Sequence, residues 1–132
     1  MAFLLKVHWS IKLGKEEEFM AAQKELAQVM LGHPGVLSYH VDYPEPGVSE
    51  WVELYANDET FAAHLDNVTG HAPLKTLIDS CSSINCRCWG DPSEGSRERL
   101  KAFSATYNST GAGSFVLNPN ADLGSVRSFS RR

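Results

Sequence analysis

Glu53-Leu54-Tyr55-Ala56-Asn57-Asp58-Glu59-Thr60-Phe61-Ala62-Ala63-His64-Leu65 is the stretch whose reading decides the fold. Its first residues continue an alternation that starts at Glu50. Val52, Leu54 and Ala56 fall on one face, and Trp51, Glu53 and Tyr55 on the other, which is the period of a strand. Asn57 or Asp58 then offers a side-chain oxygen to the free N–H groups of a helix start. Phe61 and Leu65, four residues apart, give a short helix through Leu65 its inner side.

The flanks extend this strand-turn-helix unit in both directions. Phe3, Leu5, Val7, Trp9, Ile11 and Leu13 alternate with mostly polar residues, so a first strand precedes Gly14. Lys15 to Leu31 predicts a helix, with Glu16, Glu17 and Glu18 at its positive end. Phe19, Ala22, Leu26, Val29 and Met30 form its apolar stripe, and Gly32 and Pro34 stop it. Gly35 to Tyr43 reads as a second strand, and Pro44, Pro46 and Gly47 turn it back into the third as an antiparallel hairpin. After His64, Gly70 and Pro73 interrupt the pattern before a helical piece bearing Leu74, Leu77 and Ile78. Ser83 to Trp89 predicts a fourth strand. The order β-α-β-β-α-β is the split βαβ of an α+β, ferredoxin-like fold.

A C-terminal extension follows. Asp91 is placed to cap a third helix, with Pro92 at its first position, Glu94 closing a capping box, and Leu100, Phe103 and Tyr107 as its apolar stripe. Phe115-Val116-Leu117 suggests a further short strand. We therefore divide the chain into a ferredoxin-like unit over 1–90, a helix and strand over 91–117, and a tail or partner-embracing arm over 118–132.

Composition narrows the function. The chain has 132 residues, 42% of them hydrophobic, which suits one compact domain. A formal charge of -4 provides no field to hold phosphate backbones, so nucleic acid is not expected as a partner. Lys6 and His8 break the apolar start, which does not read as a signal peptide, and no run is long enough to span a membrane. Three cysteines, Cys81, Cys86 and Cys88, make no disulfide framework and point to a reducing, cytoplasmic setting; Cys86 and Cys88 share one strand face as small buried residues. There is no Gly-x-Ser-x-Gly elbow and no phosphate or flavin loop. His8, His40 and Glu53 suit a metal by type, but nothing in their spacing makes them converge, so no metal is expected.

Side chains on the sheet's second face ask for a partner. Leu4, His8, Trp51, Tyr55, Arg87 and Trp89 are assigned there, and aromatic area left in water costs about 25 cal/mol per Å². Sheet-to-sheet packing into a homodimer is the expectation. Trp51, Glu53 and Tyr55 fit either that interface or the lining of a cavity, and a buried Glu53 would need a partner, for which Arg87 is the candidate.

Three pieces resemble the antibiotic-biosynthesis-monooxygenase-like family: Gly14-Lys15-Glu16-Glu17-Glu18-Phe19, Gly35-Val36-Leu37-Ser38-Tyr39, and the opening stretch through His64. They cover about residues 3 to 90. The resemblance implies a dimeric α/β barrel with a cavity between sheet and helices. It also implies cofactor-independent oxidation of a small aromatic or quinol-type substrate, which the protein deprotonates so that it reduces oxygen itself. On that reading His64 is base or orienter and Tyr55 a hydrogen-bond donor, while Trp51, Glu53, His71 and His40 contact the substrate. The chain departs from many relatives after His64, where the next histidine, His71, comes two positions late and is followed by Ala72 and Pro73. Isomerase or haem-degrading activity, with His71 or His64 as axial ligand, and a non-enzymatic ligand-binding dimer are the alternatives on the same fold.

Overall fold

The computed structural model describes residues 2–30, 32–69 and 71–108. Five strands form one sheet: β1 (Phe3–Ile11), β2 (Val36–Glu45), β3 (Val48–Tyr55), β4 (Cys81–Gly90) and β5 (Ala105–Tyr107). The helices are α1 (Glu16–Met30), α2 (Asp58–Thr69), α3 (Ala72–Asp79) and α4 (Glu94–Leu100), the last continuing into a 3-10 turn at Lys101–Phe103. The strand order is β2-β3-β1-β4-β5. β1 runs antiparallel to both β3 and β4, so each β-α-β crossover skips over one strand, as the ferredoxin-like reading requires.

Register fixes which face is covered. Phe3, Leu5 and Val7 pair with Tyr55, Glu53 and Trp51, and Leu5 and Val7 also pair with Cys88 and Cys86 on the other side. All of these are buried, together with Phe19, Leu26 and Met30 of α1, Phe61, Leu65 and Val68 of α2 and Leu77 of α3. The three cysteines are free and buried. An aromatic cluster fills one end, with Trp9 and Trp51 ring centroids 4.6 Å apart and Phe19 5.6 Å from Trp9. Trp51 and Tyr55 thus belong to the helix-covered layer, which corrects their assignment to the outer face. The outer face carries Leu4, Val52, Leu54 and Trp89 in half-buried positions among Lys6, His8, Glu50 and Arg87.

Two local features hold the decisive stretch. The Asn57 carboxamide oxygen accepts from the Thr60 N–H at 2.8 Å and the Thr60 hydroxyl at 2.9 Å, capping α2. Gly35 packs so closely on Thr60 that a Cβ there would overlap its side chain, and its carbonyl accepts from the Ala56 N–H at 2.9 Å. At the hairpin tip Gly47 adopts φ +78°, a left-handed conformation that glycine takes without strain.

The extension departs from the sequence reading in two ways. Ser93, not Asp91, caps α4, its hydroxyl accepting from the Ser96 N–H, while Asp91 pairs with Arg97 at 3.2 Å. The helix does not run to Tyr107. Ser104 turns into the left-handed region at φ 53°, and Ala105–Tyr107 then joins the sheet parallel to β4. Phe115-Val116-Leu117 and the tail from Asn118 lie outside the described residues. No helix among the described residues is long and apolar enough to cross a membrane.

Candidate active site

A cavity of about 40 Å³ lies between the sheet and its helices. Its walls are apolar: Leu5 and Val7 of β1, Leu26 of α1, Phe61, Leu65 and Val68 of α2, and Leu100 from the extension. Four side chains bring polar chemistry to it: Glu53, Tyr55, His64 and the indole of Trp9. Every described lining residue is buried except Leu74 and Phe103, which are partly exposed. Leu74 follows the break at Pro73, and Phe103 belongs to the extension, so both lie where the chain departs from the resemblance.

Alternation along β3 turns Glu53 and Tyr55 to the same side, and the Tyr55 hydroxyl donates to Glu53 Oε1 at 2.6 Å. That is the one hydrogen bond to the Glu53 carboxyl among the described residues. Glu53 is only 7% exposed, and burial raises its pKa from 4.5 to about 7, against the smaller opposing effect of the Tyr55 bond. Burial and the neighbouring carboxyl push Tyr55 well above the usual phenol range, so it stays a donor. Arg87 is not the partner of Glu53. Its guanidinium lies on the outer side of β4, where it donates to Asn108 Oδ1 at 2.7 Å and sits 5.6 Å over the Trp89 ring.

His64 comes from the buried side of α2, its ring 5.8 Å from that of Tyr55 and 5.3 Å from that of His33. Burial, and to a lesser extent His33, lower its pKa to about 4, so the imidazole is neutral at pH 7. Its Nδ1 has no hydrogen-bond partner among the described residues, and neither has the buried Trp9 Nε1. Two polar atoms left unpaired beside a cavity are what a ligand could satisfy. Trp51 lines the same space, but its N–H is occupied by Ser49 Oγ at 2.9 Å and its ring is packed by Trp9, Phe19 and Tyr39.

The structure therefore brings together Glu53, Tyr55, His64 and Trp51, and leaves out two of the residues the sequence grouped with them. His40 is exposed on the outer face, its strand partner Val52 rather than Trp51 or Glu53. His71 is exposed at the N-cap of α3 and is not among the residues that line the cavity. His8 also faces outward, beside Glu50 at 3.3 Å in an open groove of about 290 Å³ with Lys6 and Arg87. His8 and His40 thus stand on the opposite side of the sheet from Glu53, and no metal-binding group occurs among the described residues. Sequence reasoning missed Trp9, Cys86, Leu100 and Phe103 as lining residues because each reads simply as core. It missed His33, which adjoins His64, because a histidine between Gly32 and Pro34 reads as a loop.

No protein-family model matches the sequence, and no curated protein matches it. Solved structures do. MupZ from Pseudomonas fluorescens superposes with a TM-score of 0.67 at 14% identity, over 92% of this chain and 98% of its own. A candidate antibiotic biosynthesis monooxygenase from Caulobacter crescentus gives 0.60 at 20% identity, over 70% and 91%. A variant of SnoaB, a cofactor-independent oxygenase from Streptomyces nogalater, gives 0.57 at 10% identity, over 70% and 94%. The fold is thus that of the proteins named antibiotic biosynthesis monooxygenases, as the resemblance implied. A match over 92% of 132 residues extends past residue 90, so MupZ shares part of the extension as well.

Proposed function

We propose that the chain is a cofactor-independent oxygenase of a small aromatic or quinol-type compound, which binds between the sheet and α2. The observation that carries this is an apolar cavity lined by a carboxyl and an imidazole, Glu53 and His64, with no lysine or arginine among the described residues that line it. A passive apolar binding pocket has no use for either group, since burying each one disfavours its charged form. Two unpaired polar atoms stand ready for a substrate oxygen, on Trp9 and His64. Fold likeness to a cofactor-independent oxygenase adds to this reading without assigning the reaction.

In the proposed chemistry the cavity removes a proton from an acidic substrate C–H or O–H, and the anion passes electrons to dioxygen. For a methylene carbon, CH2 and O2 become C=O and H2O: one oxygen atom enters the product and the other leaves as water. His64 orients the substrate oxygen or receives its proton, Tyr55 holds the neighbouring carboxyl, and the apolar walls exclude water. Oxygen uptake with anthrone and dihydroxyaromatic compounds, traced with labelled dioxygen, tests this. The expected result is one labelled atom per product molecule. No uptake and no conversion across the series would overturn it.

We also propose that a second copy covers the outer sheet face. Half-buried Leu4, Val52, Leu54 and Trp89 support this, although with Trp51 and Tyr55 turned inward the exposed aromatic area is smaller than the sequence suggested. Light scattering is expected to give a dimer mass; a monomer mass at every concentration would refute it.

A further inference from the structure

We propose that Glu53, rather than His64, is the group that takes the proton from the substrate, with Tyr55 as its positioning residue. This rests on the oxygenase reading but concerns only its proton-transfer step. The geometry is specific. Glu53 stands on the central part of β3 and lines the cavity, and the Tyr55 hydroxyl holds one carboxyl oxygen at 2.6 Å. The other oxygen has no partner among the described residues.

The groups facing the carboxyl leave it undisturbed by charge. From β1 it meets Leu5, its register partner; from β2 Tyr39, also a register partner; and from β4 Cys86, whose thiol burial pushes up. Sharing the cavity with it are neutral His64 and Phe61 of α2, Leu26 of α1, Leu74 of α3, and Leu100 and Phe103 of the extension. No lysine or arginine among the described residues lines the cavity. A carboxyl in this setting exists in both protonation states near neutral pH, which is where a general base works best. His64 in the same cavity is too weak a base to compete, being held near 4.

The division of labour follows. Ionised Glu53 accepts a proton from the substrate and becomes a neutral acid, and the negative charge moves to the substrate oxygen, so the cavity's net charge is unchanged. The buried donors without a partner among the described residues are the Trp9 N–H, the Tyr39 hydroxyl and the Nδ1–H of His64 in that tautomer; Trp9 and His64 line the cavity and would hold the new anion. The substrate class is therefore a neutral molecule carrying an acidic C–H or O–H conjugated with an oxygen acceptor. An anionic substrate would meet a carboxylate with no cation beside it.

The test is anaerobic exchange of deuterium at the methylene of anthrone in buffered water, across a pH series, which needs proton transfer and no oxygen. The wild-type rate is expected to rise through an inflection near 7, where Glu53 ionises. Glu53→Gln should lower the rate at least about 100-fold, the scale of a lost general base. His64→Gln should change it less than about tenfold. Tyr55→Phe removes the bond that favours the ionised carboxyl, so it should move the inflection to higher pH, and it decides the matter if Glu53→Gln does not fold. Exchange retained in Glu53→Gln, loss in His64→Gln alone, an unmoved inflection in Tyr55→Phe, or no exchange by the wild type would each overturn the assignment. Exchange that depends on Glu53 without oxygen uptake in air would uphold it and overturn the oxygenase reading in favour of isomerisation.

Discussion

Replacing Glu53 with Gln should change how stability depends on pH, in a direction opposite to ordinary acid denaturation. The carboxyl titrates at 4.5 when unfolded and at about 7 in the cavity. Its folded pKa is raised, so its contribution is full below 4.5 and is lost as pH rises to about 7, because the unfolded chain ionises first. Two and a half pH units at about 1.4 kcal/mol each amount to about 3 kcal/mol. His64 behaves oppositely: its pKa falls from 6.5 to about 4, so its contribution is full above 6.5 and is lost as pH drops through about 4. In the wild type the two trends nearly cancel between 4.5 and 6.5. Glu53→Gln keeps an acceptor for the Tyr55 hydroxyl but removes one trend. The variant should gain about 3 kcal/mol relative to the wild type between pH 4.5 and about 7, while groups common to both proteins drop out of the difference. Urea unfolding followed by tryptophan fluorescence measures it, and the midpoints should separate by on the order of 1–3 M across that range. Parallel pH profiles would refute the reasoning, since they would mean the carboxyl is solvated or paired in the folded chain.

Two other substitutions probe how the cavity is built. Leu100→Ala, in the extension, removes a buried wall and should cost about 2–5 kcal/mol in urea unfolding; less than about 1 kcal/mol would mean that the extension is not part of the core. Gly35→Ala drives a methyl group into Thr60 at the start of α2 and should cost about 1–3 kcal/mol, read as a lowered Tm; an unchanged Tm would show that the loop does not sit against that helix.

Much of the fold was legible because single residues signal its elements. Alternation through Phe3–Ile11, the stop at Gly32 and Pro34, and the polar turn at Asn57 each mark a boundary within a few residues. The face of β3 was not legible, since Trp51 and Tyr55 on one side and Val52 and Leu54 on the other are both apolar. Only pairing with Phe3, Leu5 and Val7 decides between them. That choice also undid the pairing of Glu53 with Arg87, two residues that β1 places on opposite faces. The strand at Ala105–Tyr107 follows a left-handed Ser104, and a serine announces no such turn. His64, Tyr55 and Glu53 could be named from their positions on a strand and helix that meet. His40 and His71 were chosen for their chemistry alone, and neither the strand period nor the start of α3 brings them inward.

The central claim is that a small aromatic compound binds between the sheet and its helices, and the three tryptophans report on this directly. Trp9 and Trp51 line the cavity, and Trp89 lies on the outer face under Arg87. The indole N–H resonances, assigned by single substitutions, can be followed as anthrone is titrated into protein at fixed concentration under nitrogen. Binding in the cavity predicts that the Trp9 and Trp51 signals shift together and saturate, while Trp89 stays in place. A saturating shift of Trp89 alone would put the ligand on the other side of the sheet and contradict the account.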